Sequence, residues 1–285
     1  LLDIILGAAI LAAGCYLFYR MKVGLTYNWK WEAVPQFLFR YDATLERWVP
    51  AILMQGFLTT LRLSIWATVL ATIIGTAMGL LRAGKGLFQR LLGGAYVELI
   101  RNLPPLVLIF IFYFFVSDQF LPPLGLEQWA RDSSESSQKV ISFFFAPPPL
   151  LNPFISALIT LSIFEGAYVT EIVRAGIQSI ERGQWEASAA LGFAKWQQMA
   201  YVILPQAVRR ILPPLAGQFI STIKDSAIVS VISIQELTYQ GMALMASTYL
   251  TFEVWITIAG MYLILTLLCS LALEQVELFW RRRTI

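Results

Sequence analysis

Gln184-Trp-Glu-Ala-Ser-Ala-Ala-Leu-Gly192, continuing through Trp196 to Val202-Ile-Leu-Pro205, lies between two long apolar segments and is itself polar enough to stand outside a bilayer. Glu186 to Ala190 favours helix, Gly192 can supply a left-handed turn, and Ala194 to Tyr201 favours helix again. Two short helices joined by a glycine predict a rigid protruding knuckle, with the charge of Glu186 near its tip offered to a basic partner. A rigid knuckle transmits a push, which a floppy loop cannot. The same residues taken alone also suit an ordinary amphipathic surface helix between membrane spans, so the surroundings decide between the two.

Those surroundings are apolar. The 285 residues are 58% hydrophobic and 14% charged, with a mean hydropathy of +0.66, whereas a soluble domain carries about a quarter charged residues. Six helices are expected: Leu1 to Tyr19, Gly56 to Leu81, Leu91 to Val116, Asn152 to Ile177, Leu212 to Ile234 and Thr251 to Leu273. Each approaches the roughly 20 apolar residues that a span requires. The fold class is therefore an all-α polytopic membrane protein. Residues 1–50 form an extra N-terminal transmembrane helix with an interfacial connector, and residues 51–285 form the main transmembrane domain. The chain begins at Leu1 rather than Met, so part of the N-terminus is expected to be missing. Ile4 to Phe18 reads as a retained helix and not a signal peptide, because Tyr19-Arg20-Met21-Lys22 follows without a small-residue cleavage site.

Basic residues set the orientation. Arg82, Lys85 and Arg90 share a side with Arg174, Arg182, Lys195, Arg209, Arg210 and the tail Arg281-Arg282-Arg283. The loop 117–151 carries Arg131 and Lys139 against Asp118, Glu127, Asp132 and Glu135. The first group marks the cytoplasm. Loop 179–203 is then cytoplasmic and loop 117–151 extracytoplasmic, with Asp132 to Gln138 expected to have little structure. Residues 20–50 conflict with this scheme, being rich in Lys and Arg while an even helix count places them outside. Trp29, Trp31 and Trp48 point to a segment lying in the membrane interface.

Five motifs occur in order: Gly56-Phe-Leu-Thr-Thr-Leu-Arg-Leu-Ser64, Glu98-Leu-Ile-Arg-Asn-Leu-Pro-Pro-Leu106, Gly166-Ala-Tyr-Val-Thr-Glu-Ile-Val-Arg174, Leu204-Pro-Gln-Ala-Val-Arg209 and Lys224-Asp-Ser-Ala-Ile-Val-Ser-Val-Ile232. With the knuckle, they make residues from Gly56 to Phe279 resemble the permease subunits of binding-protein-dependent ABC importers of the polar amino acid branch. Ser188 and Val202 are mild departures from that pattern. The resemblance implies a five-helix type I importer core, to which the first helix and the long outer loop are additions. It also implies a place in the bacterial inner membrane, in contact with lipid. The chain would form half of a translocation pathway and have no ATPase site of its own. The implied partners are an ABC ATPase dimer that binds ATP and Mg, a second permease that is identical or similar, and an extracytoplasmic amino acid binding protein. Glu186, Ala187, Gly192, Leu204 and Pro205 would couple the chain to the ATPase.

Charges at bilayer depth mark the pathway candidates, since each costs at least about 2.5 kcal/mol on insertion scales. Glu165 lies about halfway along the fourth helix, and Lys224 with Asp225 lies well inside the fifth. Arg101 either pairs with Glu98, three residues away on one helix face, or lines the channel. Glu165 would receive a substrate ammonium and Arg101 a carboxylate, with Lys224 and Asp225 at the pathway or the subunit seam. The alternative function is an ion-gradient-driven secondary transporter using Glu165 and Asp225 as ion sites. No histidine occurs, which removes the commonest metal ligand and general base. Neither a metal site nor a catalytic residue is expected, nor is nucleic acid binding. Cys15 and Cys269 fall in apolar segments and read as buried thiols. Gly79-Leu-Leu-Arg-Ala-Gly-Lys85 has the spacing of a phosphate-binding loop, but Gly86 stands where Ser or Thr is needed and a membrane helix precedes it. Gly75 and Gly79 instead suit close helix packing.

Overall fold

The computed structural model describes residues 2–24, 27–44, 46–84 and 86–282. Leu1, Lys85 and Arg283, assigned above to the first helix and to the cytoplasmic cations, lie outside the described residues. Helix α1 (Leu2–Gly24) covers the expected N-terminal segment. Cys15 sits on an exposed face of it, so this thiol is not buried. Beyond α1 the chain folds onto the start of the last helix. Tyr27 Oη and the Lys30 backbone N–H both donate to the Glu253 carboxylate, at 2.5 and 2.7 Å. Trp29 stacks on Trp31 with ring centroids 5.7 Å apart. A two-stranded antiparallel hairpin follows, β1 (Phe39–Asp42) and β2 (Arg47–Pro50), with Tyr41 opposite Trp48.

Helix α2 (Ile52–Ala83) runs 32 residues. The next expected span is broken. α3 (Leu87–Asn102) and α4 (Pro105–Ile111) meet at 110°, because Leu103 and Pro104 each precede a proline and are held extended. A straight helix from Leu91 to Val116 is thus replaced by a bent pair, which ends in a π-helical segment, Phe112–Ser117. The outer loop is also more ordered than its polar sequence suggests. It forms α5 (Leu126–Asp132) and α6 (Glu135–Phe144), with the Ser134 hydroxyl capping α6 by accepting from Ser137 N–H. The local reason is i,i+4 pairing of Glu127 with Arg131 and of Glu135 with Lys139.

Helix α7 (Leu151–Gln178) is the centre of the molecule. Its most apolar window is 67% buried by other helices, against 11% for the last span. It packs parallel to α2. An added Cβ at Gly75 would stand 2.5 Å from Val169 Cβ, and one at Gly79 would stand 2.7 Å from Val173 Cβ. The two glycines therefore serve helix contact, as the small-residue reading requires. Short helix α8 (Arg182–Ala190) follows α7. The chain then returns through Lys195–Gln197 and a π segment, Gln198–Ile203, into α9 (Leu204–Asp225).

Helix α9 begins eight residues earlier than Leu212 and contains Pro213 and Pro214 within it, so these prolines do not punctuate its start. A 3₁₀ segment, Ser226–Ile232, leads to α10 (Leu237–Thr248) and α11 (Thr251–Arg282). Among the described residues, four helices are long and apolar enough to cross a membrane, and five if the bent pair counts as one span. Residues 27–50 are tied to Glu253, Ala51 and the start of α2, at the end of the bundle opposite α8. That is the end to which the helix count assigns them.

Candidate coupling and translocation site

The knuckle is a helix stop built from backbone hydrogen bonds. Gly192 adopts φ +79°, Gly192 N–H donates to Ala189 O at 3.0 Å, and Phe193 N–H donates to Ser188 O at 3.2 Å. This pair of bonds is the Schellman arrangement, and its left-handed residue is glycine because a Cβ would be strained there. The Gln197 side chain then accepts from Ala194 N–H at 2.8 Å, which starts the returning helix. The knuckle is braced on its own stem. Ser188 is buried with its hydroxyl donating to Trp185 O, Gln206 donates to Gln184, and Arg210 donates to Ser179 O. The serine that departs from the usual alanine thus satisfies its own polar group.

Glu186, Ala187 and Gly192 are exposed, together with Leu191 and Trp196. Leu204 is half-buried and Pro205 exposed, at the point where the π segment becomes α9. Pro205 has no N–H to offer the carbonyl four residues back, and its ring crowds that carbonyl. The ladder widens before it, giving the π turn. Glu186 and Ala187 thus lie on α8 before the Gly192 turn, and Leu204 and Pro205 on the returning helical stretch that runs from Lys195 into α9.

The buried charges sort differently from the sequence expectation. Glu165 on α7 is 0% exposed, and one carboxylate oxygen accepts from Gln218 Nε2 of α9 at 2.5 Å. Its other oxygen has no hydrogen-bond partner among the described residues. Thr222 and Asp225, one and two turns beyond Gln218, approach the same carboxyl. Lys224, next to Asp225, is exposed in the last turn of α9 and faces away from that contact. Arg101 does not pair with Glu98. Its guanidinium lies over the Tyr168 ring, 5.0 Å from the centroid, one helical turn along α7 from Glu165. Glu98 instead accepts from Asn102 and comes within 3.9 Å of Arg82. The structure thus brings Glu165 to Asp225 and Arg101 to the neighbouring turn, and leaves Lys224 apart.

Two clusters escaped the sequence reading. Glu236, 0% exposed, accepts from Tyr239 N–H, Thr238 N–H, Tyr262 Oη and Thr60 Oγ1 at 2.7, 2.9, 2.9 and 3.3 Å. It caps α10 and ties it to α2 and α11. Its position before an apolar stretch was the available signal. At the knuckle end, Glu171 is ion-paired with Arg82 of α2 and with Arg174. The Gly166 and Gly56 motifs are explained by the same packing: Gly56, Thr60 and Ser64 share one face of α2, and a Cβ on Gly56 would come within 2.9 Å of Leu237 Cα. No group of His, Cys, Asp and Glu among the described residues has the geometry of a metal site.

A bundle of long apolar helices with a braced, exposed knuckle between two of them has the architecture of a membrane transport permease. Residues 71–282 match the family described as "Binding-protein-dependent transport system inner membrane component", and the chain belongs to it. It is 35% identical over 224 residues to a probable glutamine ABC transporter permease protein, GlnM, of Bacillus subtilis, covering 79% of this chain and 91% of that protein. It is 34% identical over 230 residues to the glutamine transport system permease protein GlnP of Escherichia coli, covering 80% and 93%. A solved amino acid ABC transporter, crystallised with histidines, superposes with a TM-score of 0.66 at 30% identity, covering 88% of this chain and 99% of that one. This family is an inner-membrane component of ATP-driven importers, working with an ATPase and a binding protein, so the ion-gradient alternative is set aside.

Proposed function

We propose that this chain is the permease of a polar amino acid importer and forms half of the pathway with a second, identical or similar permease. Two ATPase subunits holding ATP and Mg dock on Glu186, Ala187, Gly192 and the Leu204-Pro205 stem, and an external binding protein delivers substrate at the opposite end. The relatives' amino acid substrates support this class. The observation that carries the mechanism is the continuity of the knuckle with α9, whose far half holds Gln218 against Glu165.

ATP-driven approach of the two ATPases moves the knuckle and with it α9 relative to the central α7. The Glu165–Gln218 contact lies on that moving seam. Breaking it exposes a carboxylate able to receive a substrate ammonium, while Arg101 one turn away offers a planar donor to the carboxylate. Asp225 shares the seam, and Lys224 lies beside it toward the subunit boundary. A push at the surface is thereby converted into a change of access at a buried site.

Co-purification with an ATPase subunit, followed by amino-acid-stimulated ATP hydrolysis in proteoliposomes, tests the reading. Glu165→Gln keeps the size of the side chain and removes its charge. It is expected to lower transport and stimulated hydrolysis by tenfold or more, roughly the 1.4 kcal/mol equivalent of one lost charged contact, with assembly intact. Normal transport by an assembled Glu165→Gln complex at limiting substrate would return Glu165 to a purely structural contact.

A further inference from the structure

We propose that the end of the bundle opposite the knuckle holds a second ligand site, a vestibule whose Arg62 takes the carboxylate of an amino acid before the substrate reaches Glu165. The identity of the ligand rests on the importer reading above; the anion selectivity of the vestibule does not. A cavity of about 530 Å³ lies there, walled by the β1–β2 hairpin, the first turns of α2, α6, the start of α7 and the Ser233–Gln235 segment. That volume is in the range of small-molecule pockets. None of the groups around Glu165 lines it.

Gln55, Thr59 and Arg62 are spaced four and three residues apart, so they line the cavity from one face of α2. Arg62 is half-buried about 15 Å along the helix from Ile52, by the rise per residue. No carboxylate among the described residues pairs with it. Asp42, the carboxylate in the wall, is engaged in its own hairpin turn, accepting from Thr44 N–H at 2.9 Å and from the Thr44 hydroxyl. Arg40 adds a second cation at the hairpin side.

A confined guanidinium without a counter-charge is costly to keep, and its planar fork matches a carboxylate in two parallel hydrogen bonds. Gln240 supplies the complementary amide: it is 7% exposed, lines the cavity, and its side chain has no partner among the described residues. Two walls of the vestibule, the hairpin and α6, belong to the segments that exceed a five-helix core. Gln55 Nε2 donates to Pro50 O at 2.9 Å and fastens the hairpin to α2. The additions thus enclose Arg62, which would otherwise face open solvent.

The full chain, assembled with its ATPase in proteoliposomes, carries Thr59→Cys in a background of Cys15→Ser and Cys269→Ser. Two membrane-impermeant methanethiosulfonates, one bearing a sulfonate and one a trimethylammonium, are applied from the extracytoplasmic face, and their rates are normalised to those with a free thiol. The anionic reagent is expected to react about tenfold faster than the cationic one, as a cation-lined cleft concentrates anions. Saturating L-glutamate is expected to slow it by at least about fivefold, an occlusion effect of the same field and volume. Arg62→Gln abolishes the glutamate protection and lowers the charge preference to what Arg40 alone supplies, Arg62→Lys keeps the charge preference, and Glu165→Gln keeps both. Equal or faster labelling by the cation, protection that survives Arg62→Gln, or no labelling at all overturns the proposal. If Arg62→Gln does not assemble, the charge preference with Arg62 and with Lys in its place decides it. Charge preference without amino-acid-stimulated ATP hydrolysis would retain the anion site and reject the importer reading instead.

Discussion

Val169 leaves no room for a methyl group on Gly75. A Cβ there would be 2.5 Å from the Val169 Cβ and Cγ1 atoms and 2.9 Å from the Gly166 carbonyl oxygen. Backbone and a β-branched side chain cannot rotate away, so the helices must part. Gly75→Ala is therefore expected to destabilise the α2–α7 contact by about 1–3 kcal/mol, the range of overpacking a close-packed site. Thermal unfolding of the detergent-solubilised protein would show a lowered midpoint, whereas Gly94→Ala, where nothing lies within 4 Å, should leave it nearly unchanged. Equal behaviour of the two variants would remove the packing role of Gly75. Glu165 shows a different limit of residue-level reading. Its charge and mid-helix position were legible, but its partner Gln218 was not, because the chain had to fold back antiparallel over a separation of 53 residues first.

The knuckle is legible at the level of the element because every force that shapes it is local. A helix-favouring run, a glycine able to turn left-handed and a second helix-favouring run lie within twenty residues. The broken third span was less legible. Leu103, Pro104 and Pro105 signal an interruption, yet the 110° turn also needs α7 and the 3₁₀ segment to receive α4. Likewise Pro213 and Pro214 look like a boundary, but neighbouring helices hold α9 continuous through them. Rigidity of the knuckle has a direct consequence. Gly192→Val forces a β-branched residue into φ +79° and misdirects the turn, while Glu186→Lys inverts the charge on its exposed face without touching the stem. Both are expected to reduce ATPase docking and transport, with the strained φ alone worth of order 1–3 kcal/mol locally. Pull-down of the ATPase subunit measures the docking. Full docking and full transport in both variants would leave the knuckle an ordinary surface loop.

Over the whole molecule, connectivity sets a polarity that the cations of the knuckle end follow, whereas Lys30, Arg40 and Arg47 of residues 27–50 lie at the opposite end. α2 and α7 run parallel, as Gly75 beside Val169 and Gly79 beside Val173 require, and α9 runs against them, as Gly176 beside Ile211 and Glu165 beside Gln218 require. Arg82, Arg174, Arg182, Lys195, Arg209 and Arg210 consequently gather at the knuckle end, and the hairpin, α5 and α6 at the other. The cations of the knuckle end support the cytoplasmic position proposed for it, where ATP and a motor subunit would be found. A knuckle on the far side would have no nucleotide-driven partner, so orientation and mechanism stand together. In cells carrying Cys15→Ser and Cys269→Ser, a thiol at exposed Ser136→Cys should be labelled by a membrane-impermeant maleimide. One at exposed Gln184→Cys should be labelled only after the membrane is permeabilised. The reverse pattern would put α8 outside the cell and overturn both the coupling role of Glu186 and Gly192 and the external position of the Arg62 vestibule.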